Sequence, residues 1–390
     1  MSAGAAVVRS APGKLFVAGE YAVVESGTPA ILVAVDRRIT VTVSPAEKPG
    51  VLISSDLTTR AVRSRWSRGR LVPADGPPGT ATATATAGAT AAGAAGGGEQ
   101  TRRALAHVLA AVESVGRLLA EHGRPLPDLS LSVSSTLHEG GRKLGLGSSG
   151  AVTAASVAAV AAFCGLDLTA DARFRLALLA TARIDPKGSG GDLAASTWGG
   201  WITYRAPDRE QVLDLAARLG VAQALREEWP GYGVRRLPPP AGLELEVGWT
   251  GNPASTTSLV ADLHRRTWRG TSSHHKFVQT TTDVVDGAVA ALEAGDGPAL
   301  LHQIRRARQE LARLDDEVGL GIFTPELTAL CEAAESVGGA AKPSGAGGGD
   351  CGIALLDAHA PNDISHVRQR WAAAGVLPLP LRPAMEGIEE

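Results

Sequence analysis

Three short segments of the sequence combine glycines with lysine, serine or acidic side chains, residue types that together can handle phosphate groups. They are residues 11–24 (APGKLFVAGEYAVV), 143–151 (KLGLGSSGA) and 342–352 (KPSGAGGGDCG). Glycine lets backbone amides approach a ligand closely, while ammonium and hydroxyl groups bond negatively charged oxygens. The chemistry indicated is the binding of a phosphate-bearing ligand, provided that the fold brings these segments together.

The second segment carries glycines at 145, 147 and 150 and so satisfies G-x-G-x-x-G, a pattern shared with dinucleotide-binding folds. In such folds a second strand ends in an acidic residue about twenty positions later. Asp167 lies at that distance, but residues 164–170 (CGLDLTA) are too short and broken for a buried strand. The sequence therefore disfavours the dinucleotide fold. The lack of G-x-x-x-x-G-K-[ST] also excludes a Walker-type P-loop.

What the second segment predicts instead is an anion site at a helix N-terminus, where free amides and the helix dipole both favour phosphate. Ser148 and Ser149 add hydroxyls for phosphate or Mg²⁺, and Lys143 adds a cation at the rim. Taken alone, this segment also fits a serine-capped helix after a flexible turn. The glycine-rich third segment likewise fits a tight turn before a strand.

Strands and helices in irregular alternation must position these segments. Residues 29–35 form a continuous β-rich run, and the helix expected over 101–121 has an apolar stripe that leaves His107 outside it, in solvent. A proline-rich stretch near 237–240 is the candidate domain boundary. Mixed elements of this kind predict an α+β architecture. Further elements are expected as strands near 129–137, 200–204, 243–249, 352–356 and 376–381, and as helices near 151–163, 171–183, 272–294, 298–315, 325–337 and 362–374.

Composition limits the partners and the compartment. Over 390 residues the net charge is −2, so the composition does not indicate a protein that binds nucleic acid or an anionic membrane through a basic surface. Three scattered cysteines, together with an N-terminus that lacks the features of a signal peptide, predict a cytoplasmic protein. Residues 79–98 (GTATATATAGATAAGAAGGG) have no large apolar side chain to bury, so a loosely ordered loop is expected there.

The three segments, in this order, resemble those of the GHMP kinases, the superfamily of galactokinase, homoserine kinase, mevalonate kinase and phosphomevalonate kinase. The resemblance implies a GHMP kinase fold with two domains. An N-terminal domain similar to ribosomal protein S5 domain 2 would cover residues 1–236, and a ferredoxin-like C-terminal domain would cover 237–390. ATP and its acceptor would bind in the cleft between them.

Four stretches, at 14–31, 188–196, 247–260 and 344–355, are most similar to the phosphomevalonate kinases, and Tyr21 stands where mevalonate kinases more often have histidine. This implies Mg²⁺- and ATP-dependent phosphorylation of phosphomevalonate to diphosphomevalonate by a cytoplasmic monomer or homodimer. Mevalonate kinase or another GHMP kinase remains an alternative. So do diphosphomevalonate decarboxylase and a non-catalytic nucleotide-binding protein.

The resemblance also assigns residues. Lys14 and Asp192 would be catalytic and Ser149 would bind Mg²⁺, although Asp192 taken alone also fits an Asx-turn. Thr181 stands where mevalonate kinases bring a glutamate to the metal. The ATP phosphates would contact Lys143, Gly145, Leu146, Gly147, Ser148, Ser149 and Gly150. The acceptor would contact Glu20, Tyr21, Ser189, Lys276, Arg308, Gly345, Ala346 and Gly347.

Overall fold

The computed structural model describes residues 5–74, 99–252 and 268–389. The predicted loop 79–98 lies outside these residues, as does the part of the 247–260 stretch beyond residue 252. No helix in the described part of the chain is long and apolar enough to cross a membrane.

Two large sheets and a short hairpin contain all fourteen named strands of the described chain. The strands are β1 Val7–Ala18, β2 Pro29–Pro45, β3 Val51–Ser55, β4 Val62–Ser67, β5 Arg70–Pro73, β6 Leu129–Ser135, β7 His138–Glu139, β8 Arg142–Lys143, β9 Trp201–Arg205, β10 Gly233–Leu237, β11 Leu243–Trp249, β12 Ala340–Pro343, β13 Cys351–Asp357 and β14 Leu377–Leu379.

The α-helices whose two ends both lie within the described residues fall into a group before β11 and a group after it. They are α1 Ala106–Glu121, α2 Ser148–Phe163, α3 Ala170–Thr181, α4 Gly191–Trp198, α5 Arg209–Leu219, α6 Val221–Ala224, α7 Ser272–Ala294, α8 Gly297–Val318, α9 Pro325–Glu335 and α10 Pro361–Ala373. A 3₁₀ turn, Ala22–Val24, follows β1.

The first sheet has eight strands in the order β10-β9-β2-β6-β3-β4-β5, with β1 paired to β2. The long β2 organises it, since β2 pairs with β1 along its length, with β9 at its start and with β6 at its end. Helix α2 packs on β1 and β2. Its alanine-rich sequence suits that position, because small side chains allow the helix to be buried along most of its length.

The second sheet is antiparallel, with the order β12-β13-β11-β14, and it is covered by the later helices. Together with the first sheet it confirms the predicted α+β class. Most of the predicted elements are present within a few residues of their predicted ends, including the helix at Ser272–Ala294 and the strand at Leu243–Trp249. The division into domains at residues 236 and 237 stays a prediction.

The end of the described chain returns to the first sheet. Ser10 and Glu389 exchange two backbone hydrogen bonds of 3.0 and 2.9 Å, and the Asp36 amide donates to the Arg382 carbonyl at 3.0 Å. The Arg38 guanidinium donates to the Gly387 carbonyl. Residues 382–389 therefore pack with the N-terminal sheet rather than with the strands that precede them in sequence.

Candidate active site

A cleft of about 530 Å³ lies where the three glycine-containing segments meet. Side chains or backbone of each segment line it, and the loop before α4 completes it. Its lining residues include Lys14, Glu20, Tyr21, His107, Lys143, Gly145, Leu146, Gly147, Ser148, Ser149, Thr181, Asp185, Lys187, Ser189, Asp192, Arg209, Gly345, Ala346 and Asp350.

Lys14 projects from β1 just after an irregularity in its pairing with β2, between Pro12 and Gly13. The side chain is only 8% exposed. Its backbone amide donates to the Leu146 carbonyl at 2.9 Å, and its ammonium lies 3.4 Å from the Gly145 carbonyl. An ammonium has three donors, so this position leaves capacity for a ligand in the cleft.

The loop that precedes α2 has left-handed backbone angles at Gly145 and Gly147, with φ of 74° at each. Gly147 is the residue that caps the helix, and no side chain accepts a hydrogen bond from the helix N-terminus. The structure is therefore not the serine-capped helix that the sequence left open. Ser148 and Ser149 instead form the first turn of α2, and their hydroxyls lie at the cleft.

Asp192 lies in the first turn of α4, directly against this loop. A Cβ atom added at Gly150 would be 2.5 Å from both Cγ and Oδ2 of Asp192. A Cβ atom at Gly147 would be 2.8 Å from Cγ of Lys14 and 3.3 Å from Cβ of Asp192. The missing side chains at these two glycines are what allow the lysine, the carboxylate and the loop to share one small volume.

On another wall of the cleft, the segment after β1 meets the third glycine segment. Glu20 forms an ion pair with Lys342, and both side chains are buried. The Tyr21 hydroxyl donates to the Ala346 carbonyl at 2.5 Å. Burial, together with the nearby negative charges of Asp315 and Glu20, raises the pKa of Tyr21, so this phenol stays protonated at neutral pH.

Comparison with known proteins agrees with this geometry. The family described as GHMP kinases N terminal domain matches residues 106–200, and GHMP kinases C terminal matches residues 288–373. Phosphomevalonate kinase of Streptomyces sp. (strain CL190) is 69% identical over 386 residues, covering 98% of each chain. This chain belongs to the GHMP kinase family, on its phosphomevalonate kinase branch.

A mevalonate kinase and a solved phosphomevalonate kinase structure are also similar to this chain along nearly its whole length. Mevalonate kinase of Pyrococcus abyssi is 26% identical across 98% of this chain and 97% of its own. The solved structure of Streptococcus pneumoniae phosphomevalonate kinase in complex with phosphomevalonate and AMPPNP matches with a TM-score of 0.80 and 26% identity. It covers 97% of this chain and 99% of that one. The GHMP kinase fold predicted for the chain is thereby confirmed.

Not every residue predicted for this GHMP kinase site reaches the cleft. Lys276 is exposed on α7, and the Arg308 guanidinium pairs with Glu335 at 2.6 Å, between α8 and α9. Gly347 packs against the backbone of Ile322 instead of lining the cleft. Neither Lys276 nor Arg308 lines the described cleft, so the assignment of these two side chains to the acceptor stays a prediction that their positions do not support.

Other predicted residues do line the cleft, with contacts that qualify their roles. Glu20 is there, but its carboxylate is already paired with Lys342. The Ser189 hydroxyl accepts from the Gly191 amide at 3.2 Å. Thr181 also lines the cleft, and its hydroxyl donates to carbonyls one turn earlier in α3, 3.2 Å from that of Ala177.

Sequence reasoning missed several residues of the site. His107 was expected in solvent, yet it lines the cleft and its Nδ1 lies 3.4 Å from the Thr153 hydroxyl. Burial lowers the pKa of His107, while Asp192 acts in the opposite direction. Lys187 and Arg209 were also missed. Lys187 stands five residues before Asp192, directly before the segment whose glycines and serine the sequence analysis used. This short spacing from Asp192 is the feature of the sequence that could have identified Lys187 as a residue of the site.

Proposed function

We propose that this kinase transfers the γ-phosphoryl group of ATP to the phosphate of phosphomevalonate, giving diphosphomevalonate in the mevalonate pathway. The observation that carries the proposal is the meeting of Lys14, the 145–150 loop and Asp192 in one cleft of a chain 69% identical to a phosphomevalonate kinase. The complex of the S. pneumoniae relative with phosphomevalonate and AMPPNP supports the same choice of substrates.

The ATP phosphates would lie on the 145–150 loop. The N-terminus of α2 has no side-chain cap, so its amides and the positive end of the helix dipole are available to an anion. Lys143 stands at the rim and Lys14 at the far side of the loop. This arrangement suits phosphoryl transfer, which depends mainly on alignment and on neutralising charge.

The acceptor needs little help from a base. A phosphomonoester has a second pKa of about 6 and is mostly a dianion near pH 7. Lys14 would therefore offset the repulsion between the acceptor phosphate and the γ-phosphate. Asp192, which shares the space around Gly147 with Lys14, would orient that ammonium and accept any residual proton. This division of roles matches a phosphate acceptor better than a hydroxyl acceptor.

Positive charge at the acceptor end would come from Lys187 and Arg209, which line the cleft as Lys276 and Arg308 do not. Arg209 is fixed in position, because Nε and Nη2 donate to two backbone carbonyls, of Pro186 and Val24, each at 3.0 Å. Burial lowers the pKa of Arg209, and nearby Tyr204 and Asp185 raise it. An arginine remains protonated at neutral pH in such a site. Its fixed guanidinium therefore provides a constant positive field for an anionic acceptor.

Mg²⁺ would be held by the Ser149 hydroxyl together with the phosphates of ATP. Within the described residues, no cluster of three or more His, Cys, Asp or Glu side chains could hold a metal ion. One hydroxyl together with the ATP phosphates is a donor set that fits Mg²⁺, which usually binds through one or two protein groups, waters and substrate phosphates. When bound, the ion would neutralise charge on the phosphates. A carboxylate at position 181 is not needed for this arrangement.

Location and assembly are further parts of the proposal. We place the enzyme in the cytoplasm, as a monomer or a homodimer. The three cysteines, Cys164, Cys331 and Cys351, are all buried free thiols, which agrees with a reducing compartment.

A panel assay tests the proposed reaction. ATP and Mg²⁺ are supplied with mevalonate, phosphomevalonate or diphosphomevalonate, and the formation of ADP and carbon dioxide is measured. We expect ADP with phosphomevalonate and little with mevalonate, which would leave the partly buried guanidinium of Arg209 without its anionic partner. Turnover of mevalonate as fast as phosphomevalonate would contradict the proposal, and release of carbon dioxide from diphosphomevalonate would point to a decarboxylase.

A further inference from the structure

Two segments far apart in sequence form the wall of the cleft that contains Tyr21 and Ala346. Glu20 follows β1, and Lys342 lies in β12, yet the two form an ion pair with exposures of 4% and 0%. Burying two charges consumes much of the attraction between them, so such a pair is a weak source of stability. Its place in the wall of the site calls for another explanation.

Several hydrogen bonds surround this pair and act on the same short segment. Lys342 also donates to the Pro343 carbonyl at 2.7 Å. The Ser344 hydroxyl accepts from the Phe16 amide at 2.9 Å and lies 3.0 Å from the Phe16 carbonyl. The Glu20 oxygen that takes the ammonium also lies 3.4 Å from the Gly345 amide. Residues 344–346 are therefore bonded to the N-terminal half through Phe16, Glu20 and Tyr21.

The held segment faces the ligand space. Gly345 has φ of 91°, and a Cβ atom placed there would meet nothing within 4 Å. Gly345 and Ala346 line the same cleft as Lys14 and Arg209. A shift of the segment would therefore change the shape of the cleft directly, while the 145–150 loop, which is anchored on α2 and β1, would stay in place.

We propose that the Glu20–Lys342 ion pair is a positioning device that fixes residues 344–346 at the acceptor end of the cleft. Glu20 and Lys342 are thus positioning residues, and Glu20 acts on the segment through Lys342 and the Gly345 amide, and not by touching the acceptor. The proposal rests on the proposed function, because it takes the ligand on this wall to be phosphomevalonate. It predicts that loss of the pair weakens use of the acceptor while leaving use of ATP nearly unchanged.

Three variants test the proposal: Glu20→Gln, Lys342→Met and the double substitution. Each single variant leaves one buried charge unpaired, so we expect the KM for phosphomevalonate to rise about tenfold or more, the scale of a misplaced binding group. The KM for ATP should stay within about twofold, since the 145–150 loop remains anchored. The double variant removes both charges with side chains of similar size, and it should recover part of the loss.

Other roles for Glu20 give different results. If Glu20 touched the acceptor directly, Lys342→Met would have little effect and the double variant would be no better than Glu20→Gln. If the pair were only structural, both KM values would move together or not at all in the folded variants. The matched control is Glu246→Gln, which removes a buried carboxylate from a bidentate pair with Arg368, with bonds of 2.7 and 2.6 Å, in a part of the fold outside the cleft. It should lower the melting temperature without a selective effect on phosphomevalonate.

Charge-conserving variants and an assay of the unmodified enzyme complete the test. If a single variant fails to fold, Glu20→Asp and Lys342→Arg keep both charges while changing the length or shape of one partner, and each should give a smaller but still selective rise in the phosphomevalonate KM. The unmodified enzyme is assayed first with phosphomevalonate. Failure of that assay would overturn the proposed function, whereas normal turnover with unchanged KM values in the variants would overturn only the positioning role.

Discussion

Gly150 and Asp192 approach each other so closely that a single methyl group would separate them. A Cβ atom at Gly150 would lie 2.5 Å from the Asp192 carboxylate. Gly150 is a helical residue of α2, and its φ is not in the left-handed region. Its lack of a side chain therefore serves the carboxylate and not the backbone.

Replacing Gly150 by alanine should therefore lower the activity while it favours the helical backbone. Gly150→Ala should lower turnover by roughly tenfold or more, because the carboxylate must move from its position beside Lys14. The helix itself should gain up to about 1 kcal/mol from the better helix former, which offsets part of the crowding. Turnover and melting temperature are measured together. Gly297→Ala, where the nearest atom would be 3.4 Å away, is the control with normal activity.

A second prediction concerns the two proposed catalytic residues themselves. Asp192→Asn and Lys14→Met should fold normally and lose about 10²-fold or more in kcat, the scale of a positioned electrostatic group. The exposed residues Asp363 and Lys48 provide the matching controls Asp363→Asn and Lys48→Met. Near-normal kcat in both active-site variants would remove Asp192 and Lys14 from the mechanism.

At the scale of elements, the pairing of α8 with α9 changes which arginine should bind the acceptor. The Arg308–Glu335 pair holds these helices together on the outside of the cleft. Arg308→Ala should leave both KM values unchanged and should cost roughly 1 kcal/mol or less of stability, as for other partly exposed ion pairs.

Arg209→Gln should behave differently, because Arg209 lines the cleft. We expect the KM for phosphomevalonate to rise by the equivalent of about 1.5–3 kcal/mol, the value of a hydrogen bond to a charged group. The KM for ATP should hardly change. Steady-state kinetics with each substrate varied in turn make the comparison. A rise in the phosphomevalonate KM for Arg308→Ala, with none for Arg209→Gln, would instead assign the acceptor to Arg308.

This contrast shows which parts of the site the sequence could predict. Lys14, the 145–150 loop and Asp192 sit in compact segments with a recognisable spacing, and local patterns also located α2, α7 and β11. The position of Arg308 depends on how α8 is rotated and on what α9 presents to it. His107 depends in the same way on the packing of α1 against α2. Such contacts between distant elements leave no local pattern in a single sequence.

At the scale of the whole molecule, three partly buried histidines link stability to pH. Burial is the main cause of a lowered pKa for His107, His138 and His274. An unfolded histidine has a pKa of about 6.5. Below that value the unfolded chain binds more protons than the folded one. Stability is therefore greatest above about pH 6.5 and falls as the pH drops toward the folded pKa values.

Thermal melts at pH 7.5, 6.5 and 5.5 test this expectation. The melting temperature should fall by a few degrees over that range, and replacing His107, His138 and His274 by glutamine should reduce the fall. A melting temperature that rises on acidification would show that burial of these histidines does not govern the pH dependence.

The returning tail has a consequence for the way the chain is made. Ribosomes synthesise proteins from the N-terminus, so Ser10, Asp36 and Arg38 emerge long before the backbone groups that pair with them. Asp36 and Arg382 are separated by 346 positions, and Arg38 and Gly387 by 349. The N-terminal sheet therefore leaves the ribosome while Ser10, Asp36 and Arg38, at one border of the sheet, still lack their partners in residues 382–389. Contacts of such large sequence separation form slowly, and we expect closure of that border to be a late, post-translational step in folding.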